Sequence, residues 1–218
     1  MRYRSHFYNI LFIVPAAAIL AACGEDAAGP NGSGQISAAI TDDPTATVLH
    51  QAGHGMSFAV SGQTAAAQFT GTVSGDAAVE ISADGETWVE LGQPQAFTLD
   101  AQISGTAATV HTEADVPVGA YVRARLVLED AVASISAGST IGGVVLNADV
   151  DLTLGGNDQT VTVEVPLNSM SVSADATTML RFDLNAESWV TGSAVQAGTV
   201  SDAEVTAAVT AAAEVQSQ

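Results

Sequence analysis

Across residues 35–190 the chain alternates apolar and polar side chains in short runs, broken at intervals by Gly, Asp, Asn or Pro. A period of two places every second side chain on one face, the mark of a strand with one buried and one wet surface. The clearest run covers residues 120–128, where Val122, Ala124, Leu126 and Leu128 fall on one predicted face and Tyr121, Arg123 and Arg125 on the other. Residues 160–165 repeat the pattern with valines inward, and residues 180–184 do so with Leu180, Phe182 and Leu184. Weaker runs occur at 36–40, 56–60, 68–73, 79–82, 87–91, 96–99, 107–112, 132–135, 144–146 and 150–154. Turn signals separate them at Asp84-Gly85, Gly92-Gln93-Pro94, Pro117-Val118-Gly119 and Gly155-Gly156-Asn157-Asp158.

Many short strands without intervening helices predict an all-β domain, an antiparallel β-sandwich of immunoglobulin-like or prealbumin-like form. No fixed-period repeat argues for a propeller or solenoid. One helix is predicted near the end. Ser201-Asp202-Ala203-Glu204 has the form of a capping box and leads into an Ala-rich stretch with Val205, Val209 and Ala212 on one stripe. The competing expectation is an Ala-rich tail, because so little apolar area is on offer.

The first residues carry a different signal. Arg2 and Arg4 precede an apolar run, residues 10–20, that is too short to span a bilayer as a helix. The run ends in Leu20-Ala21-Ala22-Cys23, and Cys23 is the one cysteine of the chain. This is the pattern of a lipoprotein signal with an acylation site at Cys23. The expected organisation is a signal peptide over 1–22, an acylated flexible tether over 23–34, a β-sandwich over 35–195 and an Ala-rich helix or tail over 196–218. Acyl chains on Cys23 would hold the protein to a membrane without a spanning segment. By likeness to proteobacterial sorting, Gly24 after the cysteine points to the outer membrane, facing either the periplasm or the surface.

Charge removes further classes. The 218 residues hold 24 acidic and 5 basic side chains, a net charge of −19, and no lysine. Arg2 and Arg4 would leave with the signal, so three basic residues face 24 acidic ones in the mature chain. Nucleic acid is excluded as a partner on this ground, because phosphate binding needs Lys or Arg. A single cysteine also excludes an internal disulfide and a cysteine-based zinc site.

With these residues in place, the body resembles a family of bacterial lipoprotein domains known as domain of unknown function 4382. The likeness rests on the segment 34–44 ending in Thr41-Asp42-Asp43-Pro44, on Trp88-Val89-Glu90-Leu91, and on Val116-Pro117-Val118-Gly119-Ala120-Tyr121 running into 122–128. It spans roughly residues 34–190 and departs from the family between Pro44 and Ala77, where this chain is longer. The resemblance implies a fold and a location, and no activity.

Candidate chemistry is sparse. Tyr121, Arg123 and Arg125, on one predicted face, could clamp a carboxylate or a sugar; alternatively the arginines pair with Asp183 or Glu164 across the sheet. Asn147, Asp149 and Asp151 alternate along a predicted strand, with Asp158 in the next turn, which suits a weak calcium site at Asp149 and Asp151. No Asp-x-Asp-x-Asp-Gly loop accompanies them, and a charged edge strand gives the same pattern. His50 and His54 stand four apart, as zinc ligands on a helix would, but Gly53 and Gly55 argue for a loop; His111 lies near Glu113 and Asp115. Trp88 and Trp189 could form a carbohydrate platform or serve as core anchors.

No nucleophile elbow, phosphate loop or cofactor motif occurs, so no cofactor and no enzymatic activity are expected. The expectation is a non-enzymatic binding module whose partner is an envelope protein or a carbohydrate. One competing reading is a structural acidic envelope component without a ligand. The other is a carbohydrate-active hydrolase, which would need two carboxylates about 5–10 Å apart in a cleft.

Overall fold

The structure, a computed structural model, describes residues 32–42, 69–101, 107–174 and 176–216. Its strands are β1 (Ser33–Thr41), β2 (Gly71–Ser82), β3 (Val89–Glu90), β4 (Gln95–Ala101), β5 (Ala107–Pro117), β6 (Gly119–Ile135), β7 (Thr140–Ile141), β8 (Val144–Val145), β9 (Val150–Leu154), β10 (Thr160–Val172), β11 (Thr177–Asp183), β12 (Thr199–Val200) and β13 (Thr210–Gln216). Three short helices lie late in the chain: α1 (Ala186–Trp189), α2 (Gly192–Ala197) and α3 (Asp202–Ala208).

The architecture is the predicted all-β one. One sheet runs β13-β11-β1-β5. The other is built on the 17-residue β6, which carries β2 along one side and, on the other, β10 followed by β9. The far side of β2 takes β4 and then β3, while β12 extends β9. β4 also lies beside β5 and β10 beside β13, so the sheets approach at both margins and enclose one core. Most pairs are antiparallel. The exceptions are β1–β11 and β12–β9, which are parallel and which local alternation does not foresee.

The inward phase of β6 changes along its length. Ala124, Leu126 and Leu128 are fully buried, then Ala131, Ala133 and Ile135 take over. The switch is a bulge at Glu129 and Asp130, where Asp130 adopts φ 49° and its N–H donates to Gln159 O at 2.9 Å. Opposite it stands Gly75, where a Cβ would lie 2.8 Å from the Ala131 Cα, closer than two carbons tolerate. The bulge therefore needs a bare residue across from it.

A second phase change corrects the reading of β6 near its start. Val122 was expected inside and is 45% exposed, whereas Tyr121 was expected beside the arginines and is 4% exposed. β2 ends at Ser82, opposite Arg123, and β10 bulges between Pro166 and Met170, so Tyr121 pairs with Met170 beyond the bulge and out of phase with the ladder at Ala124. The Tyr121 hydroxyl donates to Pro117 O at 2.8 Å, which ties the β5–β6 turn to the core.

The C-terminal expectation is corrected as well. The capping box forms, with Ser201 Oγ accepting from Glu204 N–H at 3.3 Å and Glu204 Oε2 accepting from Ser201 N–H at 3.0 Å. The helix stops at Ala208, however, and Thr210–Gln216 becomes a strand along the edge of β11. An Ala-rich helix buries little and is marginal alone, whereas a free sheet edge supplies a ladder of backbone partners. At the other end, β1 begins at Ser33, inside the segment read as tether. Met56–Val60, the signal and residues 23–31 of the tether lie outside the described residues.

Candidate functional site

Among the described residues, two places gather polar side chains. The first is the outer face of β6, where Arg125 stands directly between Glu80 of β2 and Glu164 of β10. Its Nη1 donates to Glu80 Oε2 at 2.8 Å, and its Nε and Nη2 donate to Glu164 Oε1 at 3.1 and 2.6 Å. Burial alone would pull the guanidinium pKa down, but its hydrogen bonds to Glu164 and Glu80, with the charges of both carboxylates, outweigh it and hold the group above its usual value. The guanidinium carbon also lies 3.9 Å from the centroid of the Trp88 ring, a stacked cation–π contact. Arg123 reaches the same Glu164 at 3.5 Å, with its side chain 52% exposed.

Trp88 is delivered by a stiff loop. Asp84 Oδ1 accepts from Thr87 N–H at 2.7 Å and Glu86 N–H at 2.8 Å, and its Oδ2 accepts from the Thr87 hydroxyl. Those donors, Thr87 first, hold the Asp84 carboxyl well below the ordinary carboxylate range. Ser82 Oγ completes the turn by accepting from Gly85 N–H at 2.8 Å.

The predicted trio is thus only partly assembled. Arg123 and Arg125 share a face with Trp88, and Tyr121 does not join them. The pairing with Glu164 foreseen across the sheet is present. Because two carboxylates occupy the Arg125 fork, a ligand carboxylate would have to displace Glu164, so this face is closer to a structural clasp than to an open anion clamp.

The second place lies on β5. Its register against β1 shifts twice, between Ile36 and Ala38 and between Ala38 and Ala39, so β5 carries two extra residues around His111. Glu113 takes φ 52°, and its N–H donates to Ser37 Oγ at 3.2 Å. Two consecutive residues here, Val110 and His111, are both buried. His111 is 7% exposed, its Nε2 has no hydrogen-bond partner, and burial pulls its pKa below 6.5. It lines a cavity of about 420 Å³ with Thr109, Thr112 and the Gly92-Gln93 turn.

The other candidates disperse. Asn147 and Asp149 precede β9, which begins at Val150, so the three oxygen ligands do not alternate on one strand as expected. Asp149 Oδ1 accepts from Ala137 N–H at 2.8 Å and Asp151 Oδ1 from the Ser134 hydroxyl at 2.6 Å; both carboxylates fasten the β6–β9 connection. Among the described residues no group of three or more His, Cys, Asp or Glu side chains converges as a metal site. Glu113 and Asp115 are exposed while His111 is buried, so the three form no ligand set. Trp189 is a core anchor, 1% exposed, with its Nε1–H donating to Leu184 O at 3.0 Å. Cys23, His50 and His54 lie outside the described residues.

The chain matches none of the known protein families, curated proteins or solved structures compared with it. Sequence reasoning found the arginine face but missed the His111 cavity. The only local signal for it was the Gly92-Gln93-Pro94 turn, since neither bulge on β5 is marked by Gly or Pro.

Proposed function

We propose that this protein is a lipid-anchored component of the bacterial cell envelope whose β-sandwich serves as a non-enzymatic binding module. The observation that carries the reading is Cys23, the sole cysteine, placed directly after Leu20-Ala21-Ala22 behind a basic start and a short apolar run. Among the described residues no helix is long and apolar enough to cross a membrane, which suits attachment through lipid. With its fork filled by Glu80 and Glu164, the arginine face does not favour capture of an anion, and a net charge of −19 disfavours nucleic acid as a partner.

Replacement of Cys23 by Ser tests the anchor. The wild-type protein should sediment with membranes and enter the detergent phase on partitioning, and Cys23→Ser should move to the soluble fraction. A variant that still sediments would sink the reading. Protease treatment of intact cells, with a periplasmic control protein, then separates surface display from the periplasmic face.

A further inference from the structure

We propose that the cavity around His111 binds an uncharged, hydroxyl-rich small ligand of the monosaccharide or polyol class. The inference deepens the binding-module reading and rests on it. The cavity is an open depression of about 420 Å³, within the range of about 300–1,000 Å³ usual for small-molecule sites. Its lining is mostly polar, from Gln93, Gln95, Thr109, Thr112 and His111, with Val110 the one apolar side chain, and these residues include no carboxylate, ammonium or guanidinium.

That composition selects the ligand. An anion would find no guanidinium or ammonium there, in a chain already strongly negative. A metal ion would find one imidazole and no carboxylate. A sugar hydroxyl both donates and accepts, as do a carboxamide, a threonine hydroxyl and a neutral imidazole.

His111 is the second, independent observation. The residue is 7% exposed; its Nε2 is closed to solvent and has no hydrogen-bond partner, although buried polar atoms are ordinarily paired, and the Nδ1 edge of the ring is the one beside the Gly92 wall of the cavity. The two bulges that turn it inward are a departure from regular pairing of the kind found beside functional sites. Gly92 keeps the adjoining wall bare: its φ is 150°, and a Cβ there would lie 3.3 Å from His111 Nδ1. Burial keeps the imidazole neutral at physiological pH, so one ring nitrogen donates and the other accepts.

The test uses the full-length acylated protein in micelles of a detergent without a sugar headgroup. The His111 ring-proton resonance, assigned by its loss in His111→Asn, is followed during titration with glucose, galactose, mannose, N-acetylglucosamine and glycerol, and separately with zinc and phosphate. At least one neutral probe should shift it saturably, with a dissociation constant on the order of 1 mM. Thr112→Val and Gln95→Ala, both at exposed positions, should leave the melting temperature unchanged and each weaken binding about fivefold, the loss of one hydrogen bond. No shift from any neutral probe at about 100 mM, or a shift from zinc or phosphate alone, would overturn the proposal. A sugar that binds while the His111 resonance stays still would overturn this site and leave the binding-module reading standing. Retention of Cys23→Ser on membranes would do the reverse.

Discussion

Truncating Arg125 to Ala should measurably loosen the β2–β6–β10 face. The side chain is 24% exposed and its partners Glu80 and Glu164 are 19% and 37% exposed, so each ion pair is partly screened. At this exposure a well-aligned pair contributes about 0.5–1 kcal/mol, and the stack on Trp88 adds about 0.5–1 kcal/mol. The sum is about 2 kcal/mol, and the truncation also leaves two carboxylates without their shared cation. With a urea slope of about 2 kcal/mol per molar, the unfolding midpoint should fall by about 1 M. Arg125→Lys keeps the charge but not the planar fork, so it should lose about half as much. In about 1 M salt, where the screening length is about 3 Å, the ion-pair part should shrink while the stacking part persists. A midpoint shift below about 0.2 M for Arg125→Ala, or a lysine variant equal to wild type, would refute the clasp.

The buried imidazole makes stability depend on pH with a defined sign. Because the folded pKa of His111 lies below its ordinary 6.5, the unfolded chain takes up the proton first; stability is full above 6.5 and declines as pH falls through that window. Denaturation midpoints between about pH 7.5 and 5.5 should show this decline in the wild type and a flatter profile in His111→Asn. Asp84 acts in a lower window: its depressed pKa gives stabilisation that is complete above the ordinary 3.8 and is lost as pH drops further. Asp84→Ala should speed amide exchange at Glu86 and Thr87 at neutral pH, and unchanged exchange would contradict the loop account. Tyr121→Phe removes the hydroxyl that donates to Pro117 O and should cost about 1 kcal/mol in urea unfolding. A Tyr121→Phe variant as stable as wild type would mean that the β5–β6 turn does not depend on this bond.

The local grammar of the chain was legible without tertiary information. Alternation in residues 160–165 and 180–184 marked real strands, and Val161, Val163, Leu180 and Phe182 are in the core. Ser201 and Glu204 announced a helix start that the backbone forms, because a capping box needs only groups three residues apart. Pairing of the arginines across the sheet was one of two readings, with Asp183 or Glu164 as the partner; the structure takes Glu164, and Asp183 stands in the other sheet.

What the sequence by itself determined is therefore the class of fold, the strand segments and most of the inward faces, all set by interactions within a few residues. The tertiary structure decided the parallel pairing of β1 with β11, the end of the last helix at Ala208 and the inward turn of His111. Each of these depends on a neighbour far along the chain. The free edge of β11 draws residues 210–216 out of a helix, and the register of β1 accommodates two extra residues in β5. A bulge reverses every side chain beyond it, and its cost is set by the partner strand, so period-two alternation cannot locate it. The cavity at His111 is a product of that long-range register.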